Sequence, residues 1–266
     1  MASGAAGASD PLRSFRLDGE VAIVTGGGAG IGLAIADAMA AVGARVAIVD
    51  RKADTAVQAA EAIGRRGGIA AAYALDITDV AATARTFATI AERQKRLDIL
   101  VNSAGLAIRK PAVDLTPADW QPVVDVNLTG LFFASREAAK HMIASGRGGR
   151  IVNIASMMGL SGGGLYPNAS YQATKGAVVN LTRALAIEWA KEKVRVNAIA
   201  PTYVRTGFIG PLLKDPALVA KIEAMTPLGR LADPADIVGA ALYLASAASA
   251  MVTGHTLAVD GGFLAQ

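Results

Sequence analysis

The chain has 266 residues, 53% of them apolar, which is enough for one large core and fits a single α/β domain. Its net charge of +4 comes from interspersed charges without a long run of one sign, which argues against nucleic acid or a membrane surface as a partner. The lack of cysteine excludes disulfides and thiolate chemistry, and two histidines, His141 and His255, are too few for a histidine-rich metal centre, so no metal is expected.

Residues 1–16 (MASGAAGASDPLRSFR) carry neither a charged n-region nor an apolar h-region. They predict a flexible tail rather than a signal peptide, ahead of one domain over 17–266, and a cytoplasmic protein. Two uncharged stretches, 151–174 and 237–254, are too rich in small and polar residues to read as membrane spans. They predict buried elements of a core.

The apolar run at 21–24 (VAIV) predicts a buried parallel strand. It leads into 25–32 (TGGGAGIG) and then a helical pattern reaching Val42. Strand, glycine turn and helix are the setting of a phosphate-binding loop. Gly26, Gly28 and Gly30 allow a tight turn and a close backbone approach, and N–H groups from Ile31 onward face the negative charge. The spacing departs from a strict G-x-G-x-x-G, so a merely flexible turn is the alternative for the loop alone. A second strand at 46–49 closes with Asp50. That carboxylate can accept both ribose hydroxyls of an adenosine half and would repel a 2′-phosphate, which favours NAD over NADP. Arg51 follows and could meet a phosphate.

A helix over 54–66 and a strand over 69–75 come next. Asp76, with Ile77 after it, can accept from an adenine amino group; alternatively Asp76 or Asp79 caps a helix over 80–95. A strand at 99–101 ends in Asn102, Ser103, Ala104 and Gly105, small residues that let a cofactor pass close to the backbone. This alternation predicts a parallel sheet with helices on both faces and ligands at the carboxyl ends of the strands. A long helical pattern over 117–145, interrupted near Pro122, contains Asn127. Asparagine competes for backbone groups in mid-helix, so it marks a local distortion, a water-binding role or a solvent-facing position.

The strand at 151–154 leads to Ser156. After a loop, a helix over 171–191 carries Tyr171 and Lys175 at i,i+4 on one face. Tyrosine has an ordinary pKa near ~10, and a nearby ammonium lowers it toward a working range. A strand over 194–199 ends near Pro201, followed by Thr202, Tyr203 and Val204. The Pro-containing segment 203–230 reads as a mobile lid, and a helix over 234–248 and a strand over 257–259 complete the chain.

From about Leu17 onward the sequence resembles the short-chain dehydrogenase/reductase family. The matching stretches are TGGGAGIG (25–32), Asp50, Asp76, NSAG (102–105), Asn127, Ser156 with YQATK (171–175), and the Pro201 turn. The resemblance implies a Rossmann-type αβα sandwich with a parallel sheet of strand order 3-2-1-4-5-6-7, NAD(P) binding and a tetrad of Asn127, Ser156, Tyr171 and Lys175. It also implies a homotetramer built on the two long helices. In such a site Tyr171 takes the alcohol proton, Lys175 holds the nicotinamide ribose, Ser156 orients the substrate oxygen, and Asn127 holds a relay water.

Some features depart from the family pattern. Ser103 replaces an asparagine, and Thr202 replaces a glycine that follows the proline. The interval from Ser156 to Tyr171 is longer than the commonest family spacing, which would place Met158 at the serine position. Ser156 directly follows the strand and is assigned; Ser161 is the outside candidate. The longer loop and NIASMMG (153–159) are similar to the polyol, gluconate and galactitol dehydrogenases of the family. Expected pocket residues are Met157, Met158, Leu165, Asn168, Tyr203 and Phe208. A 3-oxoacyl or other carbonyl reductase is the alternative enzyme. A non-catalytic NAD-binding regulator is the reading from another class, though such relatives typically lose the Tyr or Lys kept here.

Overall fold

Seven hydrophobic runs become seven parallel strands of one sheet in a computed structural model that describes residues 10–266. They are β1 (Val21–Thr25), β2 (Arg45–Asp50), β3 (Ile69–Ala74), β4 (Ile99–Asn102), β5 (Gly149–Ile154), β6 (Val194–Pro201) and β7 (Thr256–Val259). The order is β3-β2-β1-β4-β5-β6-β7, as expected. Every residue of β1 and β4 is buried, because helices cover both faces of the sheet.

One face carries α1 (Gly30–Ala41), α2 (Ala53–Arg65) and α9 (Pro234–Ala245), whose Ile35, Met39, Ile63, Ile237 and Leu244 pack with Val24 and Ile48. The other carries α3 (Val80–Gln94), α5 (Leu131–Ala144) and α6 (Ala169–Trp189), where Phe87, Ile90, Met142 and Leu185 pack with Ile23, Leu100 and Val196. Strand order reverses on either side of β1 and β4, and the crevice above their carboxyl ends is where ligands sit in such sheets.

The sequence reading needs correction at some points. Within the stretch 1–16 expected as a tail, Pro11–Phe15 forms a 3-10 turn, Asp10 caps it by accepting from the Leu12 N–H at 3.0 Å, and the Phe15 ring lies 6.5 Å from Tyr243. Residues 1–9 lie outside the described residues. Pro122 does not interrupt the long helix. Thr116 and Asp119 form a capping box for α4 (Pro117–Val124), which absorbs the proline and continues through a π turn at Asp125–Gly130 into α5. Asn127 sits inside that wide turn, fully buried, so of the readings left open the local distortion is the one observed. Gly130 permits it, since a Cβ there would lie 3.0 Å from both Asp125 O and Ile77.

The segment after β6 is folded. It holds a 3-10 turn at Gly207–Ile209, α7 (Gly210–Leu213) and α8 (Pro216–Ala224), and Val204 bridges to Ala232. Among the described residues no helix is long and apolar enough to cross a membrane.

Candidate active site

A cavity of about 490 Å³ runs along the carboxyl ends of the strands, from Asp50 and Lys52 at one end to Met158, Tyr203 and Phe208 at the other. At the first end the glycine turn closes against the loop after β4. Gly26 has φ +65°, and a Cβ there would lie 2.8 Å from the Ala104 Cα and N, so both conformation and space require glycine. α1 begins immediately afterwards, and Ala29 at its N-cap contributes no side-chain hydrogen bond. The first N–H groups of this helix are thus left for something other than a cap, which suits the pyrophosphate of a dinucleotide.

Asp50 accepts from the Gly28 N–H at 3.2 Å and from the Lys52 N–H at 3.0 Å. A side chain at Gly28 would lie 2.9 Å from that carboxylate. The uncapped helix, the bare turn and an acid at the end of β2 together fit a nicotinamide dinucleotide.

At the far end, α6 presents Tyr171 and Lys175 one turn apart. Lys175 is only 4% exposed, and its ammonium donates to the Ile154 carbonyl at 2.6 Å. Burial lowers its pKa from the ordinary 10.5 to about 8. The same dryness acts in the opposite sense on Tyr171, since it disfavours the phenolate. Burial pushes that phenol up to about 12, while the Ser156 hydroxyl and, more weakly, the Arg109 charge pull it down. The ammonium lies 5.6 Å from the Tyr171 ring centroid. In the free protein desolvation therefore outweighs the acidifying neighbour expected from the sequence.

Ser156 follows β5, is 7% exposed, faces the cavity, and accepts from the Met158 N–H at 3.2 Å. Ser161 accepts from Gly163 N–H at 2.9 Å and does not line the cavity. Met157, Met158 and Asn168 line it too, with Asn168 donating to the Met158 sulfur at 3.3 Å. Tyr203 is 5% exposed, its hydroxyl makes no well-formed hydrogen bond among the described residues, and burial raises its pKa well above the ordinary value. Leu165 packs behind, with Met158 and Tyr203.

Of the expected cofactor residues, Gly26, Gly30, Ile31, Asp50, Ala104, Gly105, Tyr171, Lys175, Pro201 and Val204 line the cavity. The side chains of several others point elsewhere. Asn102 donates to Ser135 at 2.8 Å and Asn153 at 2.9 Å, inside the core. Ile77 packs with Phe87, and Arg51 is exposed. Asp76 accepts from the Thr78 N–H and hydroxyl, whereas Asp79 caps α3. Gly28 contributes its N–H to Asp50 rather than a wall.

The Asn127 amide donates to Leu106 O at 2.8 Å and to Thr174, and its carbonyl accepts from Leu106 N–H at 2.8 Å. The side chain splints the loop after β4 to α6.

The sequence reading missed Lys52, Thr55, Tyr166 and Thr206 on the cavity wall. It also missed Arg109, whose guanidinium stacks 5.2 Å from the Tyr166 ring centroid. Lys52 and Thr55 could have been noted from their nearness to Asp50. Nothing in the local pattern around Tyr166 or Arg109 marks them.

The fold and this cavity define a Rossmann-type oxidoreductase. Residues 26–264 match a family model described as enoyl-(acyl carrier protein) reductase. Galactitol 2-dehydrogenase (L-tagatose-forming) of Cereibacter sphaeroides is 47% identical over 249 residues, 94% of this chain and 96% of that protein. 2-Dehydro-3-deoxy-D-gluconate 5-dehydrogenase of Escherichia coli K12 is 39% identical over 256 residues, 96% and 99% of the two chains. A gluconate 5-dehydrogenase from Burkholderia cenocepacia J2315, solved in complex with NADP and tartrate, superposes with a TM-score of 0.92 at 38% identity. That comparison covers 97% of this chain and all of the other. The chain belongs to the short-chain dehydrogenase/reductase family. It is an NAD(P)-dependent oxidoreductase acting on CH–OH groups.

Lys175 binds its proton more weakly when folded than the ordinary 10.5, so the unfolded chain holds more protons between about 8 and 10.5. Stability therefore rises with pH across that window, and the cost of burying the ammonium is fully present below it. Lys175→Met removes that cost, worth about 3 kcal/mol at most. The thermal stability of the variant relative to wild type is expected to be highest near pH 7 and to shrink toward pH 10, as read by unfolding curves of the two proteins.

Proposed function

We propose that this protein is an NAD(H)-dependent dehydrogenase that interconverts a secondary alcohol and a ketone on a polyol, sugar or sugar acid. The observation that carries the reading is the juxtaposition, in one cavity, of a glycine cradle closed by Asp50 and the Ser156–Tyr171–Lys175 cluster. When bound, the nicotinamide accepts or returns the hydride and in its oxidised form adds a positive charge near Tyr171. Ser156 hydrogen-bonds the substrate oxygen and orients it. The Tyr171 hydroxyl removes or returns the proton on that oxygen. Lys175, protonated below about 8, adds positive charge that favours the phenolate against burial. The Asn127 side chain, bonded to Leu106 and Thr174, ties the loop after β4 to the helix that carries Tyr171 and Lys175.

The substrate class rests on the polar groups the cavity leaves unused. Tyr203 offers a buried hydroxyl without a well-formed hydrogen bond among the described residues, and the Asn168 amide is spent on a thioether, a weak acceptor. Both suit a chain of hydroxyl groups better than the alkyl tail of a 3-oxoacyl substrate. The galactitol and dehydrodeoxygluconate dehydrogenases among the relatives support the same choice. Tyr171→Phe is expected to bind NADH as wild type does while turnover on the best of a panel of polyols, aldonates and 3-oxoacyl compounds falls at least ~10²-fold. Unchanged turnover would remove Tyr171 from the chemistry, and activity confined to the 3-oxoacyl compounds would replace the substrate class.

The preference for NAD follows from Asp50. Its carboxylate stands against Gly28, where a 2′-phosphate would bring like charge. Arg51 and Lys52 flank the acid and temper the repulsion, so the preference is one of degree. NADH should bind more tightly than NADPH in equilibrium titrations, with Asp50→Ala narrowing the gap; tighter NADPH binding by wild type would overturn it.

The assembly we propose is a cytoplasmic homotetramer built on the long helices. Ala173, Asn180, Ala184 and Ile187 recur along one exposed side of α6, and Ile187 is 78% exposed. A stripe with two alanines, an exposed isoleucine and one amide suits close packing against a second copy. Light scattering on the eluted protein should read four times the 27.0 kDa chain, and a monomer would refute the assembly.

A further inference from the structure

The mouth of the cavity is closed by loops from successive strand ends. The loop after β4 carries Arg109, the loop after β5 carries Tyr166, and the segment after β6 carries Phe208. The Arg109 guanidinium carbon lies 5.2 Å from the Tyr166 ring centroid and 5.6 Å from that of Phe208. Its Nη2 donates to the Phe208 carbonyl at 3.3 Å. The stack continues inward on both sides: Tyr166 meets Tyr203 edge-on at 6.2 Å, and Phe208 meets Tyr171 at 5.9 Å. Arg109 Nε is buried without a partner, and no carboxylate pairs with this guanidinium among the described residues. It is held by ring faces and one carbonyl, contacts that are directional but individually weak.

Phe208 sits between two glycines, Gly207 and Gly210. A side chain added at Gly207 or at Gly210 would meet nothing within 4 Å, so space does not demand glycine at either position. What glycine supplies there is backbone freedom at both ends of the short turn that carries Phe208.

We propose that Arg109 is the latch of this mouth: by bridging Tyr166 to Phe208 it holds the segment after β6 down over Tyr171, and its release sets how fast the nicotinamide cofactor leaves. Arg109 is in this role a positioning residue, acting through Phe208. The inference rests on the cavity being the dinucleotide site, and its test separates the two.

Arg109→Met keeps the length of the side chain and removes the charge and the planar fork; Arg109→Lys keeps the charge alone. Trypsin cleavage of the cofactor-free protein at Arg205 and Lys214, both exposed, reads opening of the segment directly. Stopped-flow fluorescence reads the rate of NADH release. Both rates are expected to rise about 3- to 30-fold in Arg109→Met, with Arg109→Lys between that variant and wild type. If Arg109→Met does not fold, Phe208→Leu removes the other half of the contact and should give the same acceleration. Unchanged cleavage and release overturn the latch. So does a higher KM for substrate with both rates unchanged, which would make Arg109 a substrate-binding group. Failure of wild type to bind NADH would overturn the cofactor reading instead, while the cleavage rates still decide whether Arg109 holds the mouth shut.

Discussion

A lysine ammonium held almost without water, on one strand-end carbonyl, is the constraint on which the site depends. Lys175 reaches Ile154 because α6 packs on β6 and on the short turn that follows β5. Gly159 allows this approach: a Cβ there would lie 2.6 Å from the Lys175 carbonyl. The dryness that brings the ammonium close to giving up its proton near neutral pH also holds Tyr171 protonated. The same burial thus favours the uncharged form of both groups. Positive charge delivered beside them can tip Tyr171 toward its phenolate, and delivering it is what the opposite half of the cavity is shaped to do.

That opposite half is made almost wholly from backbone. Gly26 and its neighbours form the turn, α1 supplies unpaired N–H groups, and Asp50 is the acid among them. Backbone cradles of this sort recognise charge and shape while remaining indifferent to what lies beyond the phosphates. Selectivity for the alcohol must come from side chains at the other end, where Met158, Asn168, Tyr203 and Phe208 gather on loops.

Much of the architecture was legible in the sequence because buried parallel strands read as plain apolar runs and the glycine turn interrupts the first of them. The strands followed from those runs and the Tyr171–Lys175 face of α6 from its spacing, while the sheet order came from the family resemblance. Ser156 was assigned over Ser161 from its position next to β5, and of the two it is Ser156 that lines the cavity. What escaped depended on contacts between segments remote in sequence. The Asn102 side chain turns into the core toward Asn153 and Ser135, which its place at a strand end did not show. The Asn127 side chain splints Leu106, which its place in a helical pattern did not show. Arg109 and Tyr166 lie far apart along the chain and meet only because adjacent strand ends carry their loops to the same mouth. No local period or spacing encodes such a meeting.

The buried amide lattice beneath the site has a consequence of its own. Asn102 joins Ser135 and Asn153, and Asn153 in turn donates to Thr182 on α6 at 3.0 Å. These bonds tie β4, β5, α5 and α6 together below the level at which any alcohol is touched. The proton-handling groups are therefore anchored to one layer of the molecule, while the residues that meet the substrate hang from another. Descendants of such a protein can rewrite the upper layer and take up new alcohols, inheriting the chemistry intact.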